Sequence, residues 1–186
     1  MRVLLIDAFP LASPDRVVAT TAESVLTEGG HDVTHRVLSG GPFELFMSSA
    51  EREAYHSDEP LVTAETKEDA AAVVAAEALL FCYPTVLFNT PALLKNWLER
   101  VFVPGVAFVF DDQDRVSPGL QNLRRLGTIT TTGHDIKATM FARDAGRRTT
   151  QRTIRMSCNR FCRRTFLSLD AGAPDTAQIK RKLDRW

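Results

Sequence analysis

Three short stretches carry the residue types that chemistry on a small ligand would need. "AFPLASPD", residues 8–15, runs from an apolar segment into a helix start. Backbone N–H groups and the helix dipole at such a turn suit a phosphate. Ser13 can add a hydroxyl and Arg16 a charge, although Ser13 also reads as an ordinary N-cap. "PTVLFNT", residues 84–90, is too apolar for a solvated turn. A flat aromatic ligand lying on Pro84, Thr85, Val86, Leu87, Phe88 and Asn89 accounts for that composition, with backbone groups reading its heteroatom edge. "TTTGHD", residues 130–135, offers the hydroxyls of Thr131 and Thr132 and a close backbone approach at Gly133. His134 can donate a hydrogen bond or a proton there; a surface histidine in a turn is the alternative.

The remaining reactive side chains point elsewhere. Cys158 and Cys162 stand four apart, with no histidine or further cysteine beside them, and read as a small apolar helix face rather than a metal or redox pair. Cys82 falls within an apolar run and is expected to be buried and inert. No metal site is expected. No G-x-G-x-x-G occurs, so the nicotinamide-type fingerprint is not met.

The elements that would position these loops alternate. "RVLLID" (2–7) is a continuous apolar run of the kind buried on both faces of a sheet. A helix follows, with Ser13 and Pro14 at its start and Gly29-Gly30 at its stop. "HDVTHRVL" (31–38) alternates as a second strand. Residues 39–65 are mixed, with a short helix in "SSAEREAYH". "TKEDAAAVVAAEA" is helical and "ALLFCY" (78–83) a third strand. A helix over 91–102 is capped by Thr90, with Pro91 at its first position. Its apolar positions, Leu94, Trp97, Leu98 and Val101 among them, recur at helical spacing, which makes Trp97 a packing residue. A long loop spans 103–123. "RRLGTITTT" is a fourth strand, 137–158 is helix-prone, "RRTFLSL" (163–169) is a fifth strand, and a final helix follows Pro174 and Asp175. Five strand–helix units imply a parallel α/β sheet with right-handed crossovers and helices on both faces. The expected arrangement is one flavodoxin-like domain over residues 1–186, strand order 2-1-3-4-5. In such open sheets ligands sit beyond the carboxyl ends of the strands, where the three loops lie.

Composition narrows the function classes. The 186 residues carry 23 acids and 23 bases, a formal net charge of zero, which gives no reason to expect a nucleic-acid or membrane partner. The charge is unevenly placed. Residues 44–77 hold nine acids against Arg52 and Lys67, and residues 137–164 hold Lys137 and eight arginines against Asp144. Such asymmetry can steer an anionic ligand or a partner, or simply be two solvated faces. Three cysteines without paired spacing argue against a disulfide framework. With no charged leader and no run of about 20 apolar residues, a cytoplasmic protein is the default expectation.

"YPTVLFNTPALLKNWLERVFVPGVAF", residues 83–108, resembles the signature of the NAD(P)H dehydrogenase (quinone) family of flavodoxin-like quinone reductases. The likeness extends to "TTG" after the fourth strand and to the strand–proline–helix start. It implies a flavin, FMN (slightly favoured) or FAD, at the strand carboxyl ends. It also implies NAD(P)H as co-substrate, a small quinone or electron-poor aromatic acceptor, ping-pong hydride transfer through flavin N5, and a homodimer with the site at the subunit interface. Carried over by motif, Pro84 to Asn89 line the flavin ring. Thr131, Thr132, Gly133 and His134 meet its pyrimidine edge or ribityl chain, and the stretch from Phe9 through Ser13 to Arg16 holds its phosphate. His134 is the expected catalytic group facing the acceptor. Tyr55 and His56 are candidates for reaching a partner's site, and Arg143, Arg147 and Arg148 for an NADPH 2′-phosphate. The sequence departs from the family at Phe9, where histidine is usual, at Val86 and Leu87, where tryptophan is usual, and at His134, where glycine is usual. The alternative reading is a divergent member with weakened or lost flavin binding, acting as a biosynthetic tailoring enzyme or an ancillary binding subunit.

Overall fold

A computed structural model of the chain describes residues 1–41, 46–55, 62–110, 112, 113, 115–184 and 186. Strand β1 (Arg2–Asp7) leads through a 3-10 turn (Pro14–Arg16) into helix α1 (Val17–Glu28), and β2 (Asp32–Val37) follows. Next come α2 (Ser49–Ala54), α3 (Lys67–Ala75), β3 (Ala78–Pro84) and α4 (Ala92–Val101). A two-stranded ribbon, β4 (Phe108–Phe110) and β5 (Val116–Pro118), precedes β6 (Arg125–Thr132). The crossover to β7 (Arg163–Asp170) holds α5 (Ile136–Ala142), α6 (Ala145–Arg148), a π turn (Thr149–Thr153) and a 3-10 turn (Ile154–Ser157), and α7 (Thr176–Leu183) closes the chain. The main sheet runs β2-β1-β3-β6-β7, every pair parallel, which is the expected 2-1-3-4-5 order.

Strand periodicity divides the core into two layers. Leu4, Ile6, Leu79, Phe81 and Tyr83 face one side, where Trp97 and Leu94 of α4 and Val73 of α3 cover them. Val3, Leu5, Ala78, Leu80 and Cys82 face the other, under Val18, Ala22 and Leu26 of α1 and Ile179 and Leu183 of α7. Trp97 is fully buried, and its indole N–H donates to Asp69 Oδ2 at 2.8 Å, so it packs as expected. Cys82 is buried too, and that burial pushes its thiol well above the ordinary value. Cys158 and Cys162 lie in the α4-side layer. No described helix is long and apolar enough to cross a membrane.

Four local expectations are corrected. Ser13 caps the 3-10 turn, accepting from the Asp15 N–H, while α1 itself has no side-chain cap. Thr90 does not cap α4: the helix begins one residue later, after Pro91, and the Thr90 N–H and hydroxyl turn to Asn89 Oδ1. Residues 103–123 are not simply a loop, because Phe108–Phe110 pairs antiparallel with Val116–Pro118. The arginine-rich stretch is not one helix. It breaks at Arg143 and Asp144, which both take positive φ, 58° and 21°.

The two charged segments also differ in kind. Among the acids of 44–77, Glu51 and Glu65 pair with Arg100, Asp69 with Arg36, and Glu77 with Arg2. Four of the six described acids of this stretch therefore meet a cation from another part of the chain. Glu44, Asp58 and Glu59, with His56, lie outside the described residues. Tyr55 packs against the core of its own chain.

Candidate functional site

The carboxyl ends of β1, β3 and β6 lie side by side, and the chain locks the last two together. Pro84 pairs with Thr131 in register, and Thr85 N donates to the Thr131 carbonyl at 2.7 Å. The Thr85 and Thr130 hydroxyls are 2.7 Å apart. Beyond this lock, Val86 and Asn89 exchange both backbone bonds, at 3.0 and 2.9 Å, around a two-residue turn. Leu87 and Phe88 occupy that turn with φ of 48° and 56°. This is the mirror-type hairpin turn that normally takes Asn-Gly, because both central residues need φ > 0. A branched aliphatic and an aromatic side chain carry that strain here.

The strain has a partner. Ala145 N donates to the Phe88 carbonyl at 2.7 Å, and Gly146 N to the same oxygen at 3.3 Å. A Cβ on Gly146 would lie 2.9 Å from backbone atoms of Asn89 and Thr90, so only glycine lets the two segments close. Asp144 holds the donor turn by accepting from Arg147 N at 2.9 Å. The positive-φ non-glycine residues among those described are Leu87, Phe88, Arg143 and Asp144, and they meet at this one seam. Strained backbone concentrates where ligands are held, because only a dense surrounding network sustains it. Sequence reasoning missed this clamp; the signal was Asp144 followed at the second position by a glycine, a cap and a close approach.

In the third loop, Thr132 Oγ1 accepts from His134 N at 3.2 Å, which shapes the turn. His134 is exposed and its ring stacks on Phe88, centroids 4.2 Å apart and planes 26° from parallel. Gly133 has no atom within 4 Å of a would-be Cβ, so its backbone faces open space. Thr131 Oγ1 is buried without a hydrogen-bond partner. Val86 and Leu87 are exposed, Leu87 at 88%. The structure therefore brings 84–89 and 131–134 together, as the sequence suggests.

The first loop is furnished differently. Phe9 is fully buried in the α1-side layer, so its side chain is not offered to a ligand; an apolar ring after a buried strand goes inward. Arg16 is not a free cation, since its Nε donates to the buried Asp7 Oδ2 at 3.0 Å. Asp15 is also buried and accepts from Gly172 N at 2.9 Å. Ser13 Oγ accepts from Asp15 N at 3.3 Å and keeps its own hydrogen to donate. Behind the loop, His35 stands between Glu23 Oε2 (2.7 Å) and Asp7 Oδ2 (3.5 Å). The Asp7 carboxylate raises the His35 pKa against the effect of burial, with Glu23 adding to it. Burial would raise the Asp7 pKa, but His35, the Phe9 N–H and Arg16 together hold it below the ordinary value.

Beside the seam lies an open groove of about 1130 Å³ between the α5–α6 segment and β7. Its rim carries Arg143, Arg147, Arg148, Arg152, Arg163 and Arg164. Among the described residues, no group of histidine, cysteine and acids is placed to hold a metal ion.

A doubly wound parallel sheet with its loops gathered at the strand carboxyl ends defines a class of small-ligand folds. The chain belongs to the flavodoxin-like fold family, whose pattern it matches over residues 1–184. It is 38% identical over 74 residues to NAD(P)H dehydrogenase (quinone) 1 of Rattus norvegicus, a match covering 40% of this chain and 25% of that protein. The chain spans about a quarter of the length of the curated quinone dehydrogenases it matches. The NAD(P)H:quinone oxidoreductase from Methanothermobacter marburgensis superimposes with a TM-score of 0.74 at 22% identity, covering 100% of this chain and 92% of that one. An FMN-dependent NADH-azoreductase from Bacillus anthracis, solved with FMN, gives 0.71 at 13% identity, covering 98% and 94%. The two structural likenesses are of fold. The expected family is borne out by the flavodoxin-like family match and the sequence likeness to NAD(P)H dehydrogenase (quinone) 1.

Proposed function

We propose that the protein is a flavin-dependent NAD(P)H oxidoreductase that reduces a quinone or another electron-poor aromatic by two-electron transfer in ping-pong order. The observation that carries this reading is the meeting of two strained turns at the carboxyl ends of β3 and β6, where Val86 and Leu87 are held exposed. The residues present fit the ring end of a flavin. Gly133 leaves its backbone approachable, and Val86 and Leu87 offer apolar surface. When bound, the flavin supplies a hydride acceptor and donor at N5. The protein's part is then to bind, orient and exclude water. Pro84 to Asn89 form the apolar seat, and the clamp from Ala145 and Gly146 keeps Phe88 in place. His134, parked on Phe88, presents a ring nitrogen that can deliver a proton to an acceptor oxygen or nitrogen. Ser13 retains a hydroxyl hydrogen for a phosphate. FMN is the flavin we favour, the one held by the azoreductase of like fold. A homodimer belongs to this reading, with a second copy covering the exposed Leu87, Met140 and Phe141.

A second reading is favoured by the first loop. Arg16 is committed to Asp7, and the buried Asp15 carboxylate sits in the turn that would receive a phosphate. That arrangement suits a family member that has given up flavin and serves as a tailoring enzyme or an ancillary binding protein. The absorbance spectrum of purified protein with added FMN separates the two. A bound flavin band that bleaches with NADPH and returns with quinone supports the oxidoreductase. Protein that stays colourless with excess FMN and with excess FAD rejects it.

A further inference from the structure

The groove beside the seam carries six arginines against one acid, Asp144, whose Oδ1 accepts from the Arg147 N–H at the start of α6. None of the six rim arginines makes an ion pair among the described residues, in contrast to Arg2, Arg16, Arg36 and Arg100 elsewhere in the chain. Two of the six are held in place. The Arg147 guanidinium lies 4.4 Å from the centroid of Phe166, and Arg164 Nη1 donates to the Gln151 carbonyl at 3.3 Å. Arg143, Arg148, Arg152 and Arg163 are exposed, and among the described residues none has a side-chain hydrogen bond or ion pair. Like charges gathered around one concavity repel, and their forked donors suit phosphate oxygens.

The volume discriminates among anions. At about 1130 Å³ the groove reaches the upper end of the size usual for small-ligand sites, and one inorganic phosphate would leave it nearly empty. Its position discriminates further. The groove begins at Arg143 and Asp144, the residues that lead into the clamp on the Phe88 carbonyl. A ligand with its reactive ring at Phe88 and His134 would carry its other end into the arginines. We infer that this groove binds the phosphorylated end of a dinucleotide reductant and reads a 2′-phosphomonoester there, so that NADPH is preferred to NADH. Arg147, backed by Phe166, supplies a flat cationic face on which an adenine can stack. This rests on the reading above that the reductant is a nicotinamide dinucleotide.

The test needs no flavin. Calorimetric titration of the protein as purified compares adenosine 2′,5′-bisphosphate with 5′-AMP at low and moderate salt. The bisphosphate is expected to bind at least tenfold more tightly, with affinity falling as salt rises. Arg148→Gln combined with Arg152→Gln, both at exposed positions, should abolish that ratio, whereas Arg181→Gln on α7 should leave it intact. Thermal unfolding confirms that each variant is folded. Equal affinity for the two nucleotides, or an unchanged ratio in the double variant, overturns the assignment. So does tight binding of an oligonucleotide or heparin that the bisphosphate fails to displace. Bisphosphate selectivity without flavin reduction would keep the groove and reject the oxidoreductase. Flavin reduction by NADH and NADPH alike, without selectivity, would do the reverse.

Discussion

Replacing Leu87 with asparagine should make the protein more stable. Leu87 sits at φ 48° in the turn closed by the Val86–Asn89 bonds. A left-handed conformation costs an L-residue with an ordinary Cβ about 1–2 kcal/mol, and asparagine visits that region far more readily. The side chain is 88% exposed in the single chain, so unfolding of the monomer, measured at dilute protein, loses little burial when it is removed. The gain should be roughly 1 kcal/mol, worth about 2–4 °C in Tm for a domain of this size. Urea unfolding measures it, with an unchanged denaturant slope showing that only stability moved. Leu87→Ala is the decisive control, because it deletes the exposed side chain but keeps the Cβ and hence the strain. It should stay within about 0.5 kcal/mol of the parent. Leu87→Gly removes the Cβ but frees the unfolded chain by about 0.4–1 kcal/mol, so it should gain less than asparagine. If Leu87→Ala stabilises as much as Leu87→Asn, or Leu87→Asn destabilises, the backbone strain argument is wrong.

Gly146→Ala should cost about 1–3 kcal/mol in urea, since its methyl would meet the backbone of Asn89 and Thr90 and no flexible side chain can yield; a loss below about 0.5 kcal/mol would mean the seam is loose. Thr131→Val should raise the stability of the protein by about 1 kcal/mol in urea unfolding, because an unpaired buried hydroxyl is removed. A fall in stability would show that the hydroxyl is satisfied. His35 is charged more readily in the folded state. Its stabilisation is therefore complete below the ordinary value of 6.5 and fades as pH rises through the higher folded value. Asp7 behaves oppositely: its contribution is present above its ordinary value of 3.8 and is lost as pH falls through the depressed folded one. Thermal unfolding across pH 6–9 should show a decline in the parent that His35→Asn removes, and a second series below pH 4 should show the acid-side loss from Asp7 smaller in that variant but still present, because the Phe9 N–H and Arg16 still hold the carboxylate.

The sheet was legible because its strands are apolar on two faces and its helices on one. "RVLLID" and "ALLFCY" leave no solvent-facing register, and that alone places β1 and β3 in the centre. The apolar loop after β3 was legible for a related reason, since Val86 and Leu87 do sit exposed in a place where a turn would normally be polar. Its conformation was not. Asn-Gly announces a mirror-type turn, whereas Leu87-Phe88 takes the same shape only because Ala145 and Gly146 hold it from a distant segment. The break at Arg143-Asp144 was hidden likewise, because neither residue type requires φ > 0, and only Asp144 with a glycine two residues on hints at it. The first loop misled by composition. Arg16 reads as a free cation until β1 brings the buried Asp7 beside it. The arginine cluster was visible as a charge excess. The contrast with the acids was not, since pairing of Glu51 and Glu65 with Arg100 is a tertiary fact.

The bonds from Ala145 and Gly146 to Phe88 also determine which pieces of this protein can be exchanged with those of its relatives. Loop 84–90 is not a cassette. Moved alone into another scaffold, it would leave behind the donors that fix its turn and would relax to a different shape. Moved together with 143–146, it would carry both halves of its fastening and the near edge of the arginine groove. Any recombination point chosen between Asn89 and Ala145, the β4–β5 ribbon included, separates the two halves of that fastening.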